Sequence, residues 1–180
     1  MGCDYYYLSA SLPTLNFTQS PPLTLEYFLG ECEKLMASDD YRKMLQALSN
    51  EEPSGRMAKD IYGQWISFNR AFKNEMAYFR AKRAGKNPKK YVRGEYDPEP
   101  RLTEAVMRAA KADDPLSAER VLDQVRFEFL EELAQGQFMN FEYLLLYGLR
   151  LNMMTRYARI GSSLGQEFFK ALKQIEIKLD

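Results

Sequence analysis

The stretch Ile61–Gly94 reads IYGQWISFNRAFKNEMAYFRAKRAGKNPKKYVRG and contains the clearest helical period of the chain. Its large apolar residues recur at steps of four, three, four, four and three, which places them on one stripe of an α-helix. This aromatic stripe consists of Ile61, Trp65, Phe68, Phe72, Met76 and Phe79. We therefore expect a long helix that begins near Ser54 or Gly55, turns the stripe toward a core and ends near Gly85.

The C-terminal end of the same stretch is strongly basic, and no acidic residue occurs between Met76 and Gly94. Its cations, called the basic segment below, are Arg80, Lys82, Arg83, Lys86, Lys89, Lys90 and Arg93. One interpretation is a solvated helix end, whose cations complement the helix dipole and meet the acidic stretch Glu95–Glu99. The other is a contact surface for an acidic partner. These seven residues are therefore the candidate partner-binding site.

The composition indicates a folded protein with no overall charge. The 180 residues include 25 lysines and arginines and 25 aspartates and glutamates, and 46% of the chain is hydrophobic. That hydrophobic share excludes a disordered chain, and the length suits a single helical domain over residues 1–180. Because the net charge is zero, nucleic-acid binding would depend on local charge alone, and overall neutrality disfavours nucleic acid as the partner.

The sequence predicts a soluble, cytoplasmic protein. No apolar run approaches the roughly 20 residues that a membrane-spanning helix needs. The two cysteines, Cys3 and Cys32, are too few for a disulfide framework and lack a metal-binding spacing. We expect a reducing cytoplasmic setting, with at most a peripheral position on the cytoplasmic face of a membrane.

The residue types argue against catalysis. Histidine is absent, which removes the commonest general base, the commonest zinc ligand and every nucleophile that histidine activates. The adjacent carboxylate pairs point to different sides of a helix and cannot share a proton, and three of the four sit at helix starts or turns, where acids are expected for capping. The pairs are Asp39-Asp40, Glu51-Glu52, Asp113-Asp114 and Glu131-Glu132. Neither a phosphate-binding loop nor a dinucleotide-binding glycine motif is present. We predict a protein that is not an enzyme, with no catalytic, cofactor-binding or metal-binding residue.

Helix signals recur along the rest of the chain and predict an all-α fold. The N-caps are Thr24, Ser38, Asp114 and Asn140, and the further predicted helices cover residues 25–37, 39–49, 101–112, 115–136, 141–160 and 168–179. The helix from residue 141 has apolar residues on most sides, which indicates a central position or a covering partner. Residues 4–13 alternate in a way that allows a short extended segment, although a helix suits them nearly as well. The expected architecture is a bundle of about seven helices.

A change in composition and charge at residues 86–100 predicts a hinge between two helical halves of the domain. This segment contains Asn87-Pro88, Gly94, Pro98 and Pro100, and its charge changes from basic to acidic at Glu95. Proline and glycine interrupt helices, so the long helix cannot continue through this segment.

Three stretches together resemble an uncharacterised bacterial family whose members are encoded with the components of V-type ATP synthases. They are DYYYLSASLP at residues 4–13, NEMAYFRAKRAG with KKYVRG at residues 74–94, and DPLSAERVLDQVRFEFLEEL with FEYLLLYGLRLNMMTRYARIG at residues 114–161. The pattern Asp-Pro-Leu-x-x-Glu-x-x-Leu-Asp at Asp114–Asp123 and the helix at residues 141–160 also distantly resemble the C subunit of V-type ATPases, which is named d in eukaryotes.

This resemblance implies an all-helical protein without catalytic residues, because the C subunit sits on the rotor ring, receives the central stalk and transmits torque. The implied function is an adaptor similar to the C subunit, which links the rotor ring and the central stalk of a V-type ATP synthase or ATPase. The chain has about half the length of such a protein. The alternative function is a binding module for nucleic acid or another anionic surface, which would act through the basic segment at residues 80–93.

Overall fold

The computed structural model describes residues 5–49, 60–94 and 96–161, and all regular secondary structure in these ranges is helical. The α-helices are α1 (Tyr6–Ser11), α2 (Leu25–Leu35), α3 (Ser38–Leu48), α4 (Ile61–Arg83), α5 (Pro100–Ala109), α6 (Pro115–Ala134) and α7 (Phe141–Gly161). A short 3₁₀ helix, Pro88–Lys90, follows α4. The predicted all-α fold is confirmed. The helix predicted at residues 168–179 lies outside the described residues.

Three of the predicted helix starts are confirmed by their capping geometry. In each, the side-chain oxygen of the N-cap accepts a hydrogen bond from the backbone N–H three residues later. The pairs are Thr24 with Tyr27 (3.1 Å), Asp114 with Ser117 (2.9 Å) and Asn140 with Tyr143 (2.9 Å). The hydroxyl of Ser117 also donates to Asp114, and these bonds lower the pKa of the Asp114 carboxyl.

The long helix α4 begins later than predicted. Asp60 has extended backbone geometry and accepts a 2.7 Å hydrogen bond from the N–H of Gly63, so it caps a helix that starts at Ile61. The predicted starts, Ser54 and Gly55, lie outside the described residues. The predicted end is confirmed, because Gly85 has a φ of 69°, the left-handed conformation that ends a helix and favours glycine.

The extended conformation considered for the N-terminal segment is wrong for residues 6–11, which form α1. Burial here follows a helical spacing and does not alternate: Tyr5 and Leu8 are buried, whereas Tyr6 and Tyr7 are exposed. The hydroxyl of Tyr5 donates to Asp40 (2.7 Å) and accepts from the N–H of Ala37 (3.2 Å). The tyrosine repeat therefore anchors the chain through its first member.

The chain forms two compact units. The first contains Met1–Leu48 and Phe138–Asp180, and the second contains Ser49–Gln137. The segment 86–100, in which we predicted a hinge, lies within the second unit. The single domain over residues 1–180 and its hinge remain predictions.

The first unit packs α2 and α3 against α7. The predicted apolar character of α7 is confirmed, because six of its residues are almost fully buried: Leu144, Leu145, Leu146, Tyr147, Leu149 and Leu151. A Cβ atom at Gly148 would lie only 2.9 Å from Cε1 of Phe28 and 3.1 Å from Sδ of Met44. Glycine at this position therefore allows α2 and α3 to approach the backbone of α7.

The second unit packs α4 and α5 against α6. Phe68 of α4 stacks on Phe129 of α6 with ring centroids 3.9 Å apart. The guanidinium of Arg126 lies 4.4 Å from the ring centroid of Phe72 and forms a 2.8 Å ion pair with the buried Asp123. Three of the six residues of the aromatic stripe, Trp65, Phe68 and Phe72, are therefore part of a packed core, as the helical period predicted.

Candidate partner-binding surface

The aromatic stripe is buried in its middle and less covered toward the C-terminal end of α4. Trp65, Phe68 and Phe72 are at most 6% exposed, whereas Met76 and Phe79 are only half-buried. An apolar helix face that emerges from a core leaves carbon surface in contact with water, which disfavours the free state unless another surface covers it.

A groove of about 300 Å³ lies beside this uncovered end, between α4, α5 and α6. Its lining is mainly apolar and consists of Met76, Phe79, Val106, Ala109, Ala110, Pro115, Ala118 and Leu122, with the charged residues Arg80, Arg83 and Glu119. The groove belongs entirely to the second unit. It is large enough to accept apolar side chains from a bound molecule.

The seven cations of the basic segment are all exposed. Arg80, Lys82 and Arg83 belong to the last turn of α4. Lys86 lies in the turn after α4, Lys89 and Lys90 lie in the 3₁₀ helix, and Arg93 follows it. In the described ranges none of the seven forms an ion pair with an acidic side chain. The structure thus gathers these residues at one end of α4 with their charges directed to solvent.

The turn that carries the last of these cations is fixed to α4 by Asn74. The buried side-chain amide of Asn74 donates to the carbonyl of Arg93 (2.9 Å) and accepts from the N–H of Arg93 (2.9 Å). This two-bond contact satisfies both backbone groups of one loop residue, as a strand partner would. The part of the basic segment that follows α4, residues 84–93, is consequently a defined loop, called the basic loop below, that returns to its own helix.

A second contact holds the chain just beyond the turn. The hydroxyl of Tyr96 donates a 2.7 Å hydrogen bond to the buried carboxylate of Glu75, and its ring stacks on Tyr78 with centroids 4.4 Å apart. Burial, followed by the hydrogen bond to Glu75 and its negative charge, raises the pKa of Tyr96. Asn74 and Glu75, adjacent on α4, therefore determine the path of the basic loop.

Several carboxylates of the described residues form ion pairs with side chains of their own unit. Glu128 and Glu132, one helical turn apart, both contact Arg101 of α5, at 3.4 and 2.7 Å. Asp39 and Asp40 form ion pairs within α3. In the part of the chain with described coordinates, no group of three acidic or cysteine side chains could hold a metal ion.

The cysteine of α2 is a core residue. Cys32 is fully buried, and burial raises the pKa of its thiol to about 12. A thiol with so high a pKa holds its proton at neutral pH and is a poor nucleophile. Cys32 lies one turn after Phe28, the other buried residue of α2, so both belong to the apolar side of this helix.

Two features of this surface were not visible in the sequence. The groove exists because α5 and α6 present alanines, Ala109, Ala110 and Ala118, opposite α4, and that pairing requires knowledge of how the helices pack. Asn74 and Glu75 are polar residues between the stripe positions Phe72 and Met76. The sequence contained one indication of their role, because a polar residue near the apolar side of a helix requires a hydrogen-bond partner.

Comparison with known proteins shows that the C-terminal part of the chain is similar to one protein family. Residues 99–177 match the model of a family described as "Protein of unknown function (DUF2764)". The match covers less than half of the chain and includes α5, α6 and α7. No curated protein and no solved structure matches the chain.

The matched region includes the third of the three stretches that carried the family resemblance, at residues 114–161, but not the two stretches before it. Since the family has no described function, the match supports similarity to an uncharacterised family and no particular activity. None of the described helices is long and apolar enough to cross a membrane.

Proposed function

We propose that the protein is a non-catalytic adaptor of a V-type ATP synthase or ATPase, similar to the C subunit, which links the rotor ring and the central stalk. The assignment to a V-type ATPase rests on the sequence resemblance at residues 4–13, 74–94 and 114–161. The observation that carries the adaptor role is the C-terminal end of α4, where exposed cations lie beside an apolar groove. The proposed location is cytoplasmic, peripheral to the membrane.

The charge of this surface favours a protein partner with an acidic face. Seven cations within one short segment attract acidic groups over a distance of about a Debye length. Each exposed ion pair with a partner would then add a modest gain in binding free energy. Two of these cations, Arg80 and Arg83, flank carbon surface from Met76 and Phe79. Protein interfaces commonly have this composition, with an apolar centre and a polar rim.

The fixed conformation of the loop also favours a binding role. The two hydrogen bonds from Asn74 to Arg93 hold the loop before any partner arrives. A surface ordered in advance loses less conformational entropy on binding than a loop that must become ordered. The residues that fix the loop are buried, whereas the cations that they position are exposed.

Affinity purification tests this proposal. A tagged full-length chain is expressed in its source cells and isolated in a mild detergent, and the co-purified proteins are identified by mass spectrometry. We expect components of the V-type ATPase to co-purify, and their absence from repeated preparations would contradict the proposal.

A charge-reversal pair makes the experiment specific for the basic segment. The test variant carries Lys86→Glu, Lys89→Glu and Lys90→Glu. The control carries Lys34→Glu, Arg42→Glu and Lys43→Glu, which change the net charge equally at exposed positions of the first unit. We expect only the test variant to lose the ATPase components. Equal loss from both variants would indicate a general charge effect.

The alternative function, binding of nucleic acid or an anionic surface, is favoured by the exposure of all seven cations. It predicts an affinity for single-stranded nucleic acid or anionic vesicles that falls steeply with salt, because counterions are released on binding. Fluorescence anisotropy at a series of salt concentrations tests this. Absent binding at low ionic strength, or binding that the three lysine reversals leave unchanged, would eliminate the alternative.

A further inference from the structure

The groove beside α4 has the size of two apolar side chains. An engineered protein cavity of roughly 150 Å³ holds one benzene molecule, and this groove measures about 300 Å³. Its walls come from α4, α5 and α6, and alanine side chains at residues 109, 110 and 118 leave the space open. A leucine or phenylalanine from another molecule would bury its own surface and that of Met76 and Phe79 at once.

The rim of the groove carries an asymmetric charge. Arg80 and Arg83 line the α4 side, and Glu119 lines the α6 side. In the part of the chain that the structure describes, neither arginine forms an ion pair. Arg80 and Arg83 are three residues apart, so their side chains are neighbours on one face of α4. Two carboxylates three or four residues apart on another helix have a similar spacing. The α4 side is therefore complementary to a row of carboxylates.

The groove cannot bind an extended peptide by adding it as a strand, because its walls offer no free backbone hydrogen-bonding groups. The three walls are α-helices whose interior N–H and C=O groups are already hydrogen-bonded. A bound segment must consequently satisfy its own backbone, which an α-helix does. A helix also presents apolar residues and carboxylates on adjacent faces.

We propose that this groove binds an amphipathic helix of a partner protein, with two apolar side chains inserted and acidic side chains facing Arg80 and Arg83. This inference rests on the proposed adaptor function and specifies the chemistry of the partner. The apolar residues of the bound helix are three or four positions apart, and its acidic residues lie along the flank that faces α4.

Selection from a displayed library of helical peptides on the purified full-length chain tests the inference. We expect enrichment of peptides with paired apolar residues and with aspartate or glutamate on one flank. The substitution Ala118→Trp, which fills the groove, should weaken the selected peptides by about tenfold or more, since buried anchors dominate such interfaces. The double substitution Arg80→Glu with Arg83→Glu should weaken them comparably.

The control is Met107→Trp, because Met107 is an exposed residue of α5 outside the groove lining. It adds similar bulk and should leave the affinity unchanged. Circular dichroism and thermal unfolding check the fold of each variant. If Ala118→Trp does not fold, Ala110→Trp replaces it, since Ala110 is exposed and also lines the groove.

Several results would overturn the inference. These are no enriched peptide, enrichment without acidic residues, or peptides whose affinity Ala118→Trp leaves unchanged. A concentration-dependent dimer that Ala118→Trp dissociates would show that a second copy of the chain occupies the groove.

Affinity purification with the Ala118→Trp variant separates this inference from the adaptor proposal. If the variant retains the ATPase components as well as the unmodified chain does, the groove is not their binding site. If acidic peptides bind the groove but the unmodified chain captures no part of the ATPase, the adaptor proposal fails and the groove assignment stands.

Discussion

The middle and the C-terminal end of α4 share one apolar stripe but differ in what covers it. In the middle, Trp65, Phe68 and Phe72 are enclosed, and Phe68 stacks on Phe129. At the C-terminal end, Met76 and Phe79 face a groove among exposed cations. A helical period thus indicates which residues share a face, whereas the neighbouring helices determine whether that face is core or contact surface.

The largest expected difference between the middle and the C-terminal end of α4 is in stability. Phe72→Ala should lower the free energy of unfolding by about 3–5 kcal/mol, because it removes a fully buried ring and leaves a cavity. Phe79→Ala should cost only about 1 kcal/mol, since Phe79 already faces the groove. Urea unfolding measures both. Equal losses would mean that the middle and the C-terminal end of the stripe are equally part of the core.

Removing the Asn74 side chain tests the attachment of the basic loop. Asn74→Ala should cost about 2 kcal/mol, because it deletes two hydrogen bonds to the backbone of Arg93. Hydrogen exchange should show faster exchange at the Arg93 amide and little change at Phe68. An Arg93 amide that remains as protected as in the unmodified chain would contradict this role of Asn74.

Tyr96→Phe should have a somewhat smaller effect, and one that depends on pH. At neutral pH the loss should be about 1–2 kcal/mol, since the Glu75 carboxylate loses its donor. The pKa of Tyr96 is raised above its ordinary value of 10.0, so the folded state holds the phenolic proton more tightly than the unfolded state does. This contribution to stability is complete below about pH 10 and decreases as the pH rises above it.

The variant should therefore show a shallower loss of stability above pH 10 than the unmodified chain. Tyr147 does not obscure the comparison, although burial raises its pKa to about 12, because it is present in both proteins. Tyr91→Phe, the same change at an exposed position, serves as the control. Parallel pH profiles for the Tyr96 variant and the unmodified chain would contradict the assignment.

The smallest effect is expected for the cations themselves. Replacing Lys86, Lys89 and Lys90 with alanine should change the free energy of unfolding by less than about 0.5 kcal/mol, because all three are exposed and Lys86 makes only a distant cation–π contact, 6.0 Å from the ring centroid of Tyr91. Arg101→Ala is the comparison variant and should cost about 1 kcal/mol, since it breaks a two-bond contact with Glu132. A larger loss from the lysine variant would indicate that the basic segment has a structural role.

Local sequence signals were sufficient for much of the fold. The caps at Thr24, Asp114 and Asn140 and the left-handed glycine at Gly85 depend on interactions within one turn, so they could be predicted from the sequence. The N-terminal segment was harder, because Tyr5 is anchored by Asp40, a contact between residues distant in sequence. The start of α4 was set by Asp60, whose capping role competed with the signals at Ser54 and Gly55.

The candidate surface could be predicted only in part. The positions of the cations follow from the sequence, since charged side chains without partners remain in water. The groove depends on small residues from two other helices, and the loop path depends on Asn74 and Arg93, which are far apart in the chain. Such pairings are properties of the packed structure, and no local pattern contains them.

Hydrogen exchange of the full-length chain, with and without purified V-type ATPase in mild detergent, tests the central claim most directly. We predict that amides at residues 79–93 become protected on binding, whereas those at residues 65–72 remain unchanged. Unchanged exchange at residues 79–93 in the presence of excess ATPase would contradict the claim that the C-terminal end of α4 is the contact surface of an ATPase adaptor.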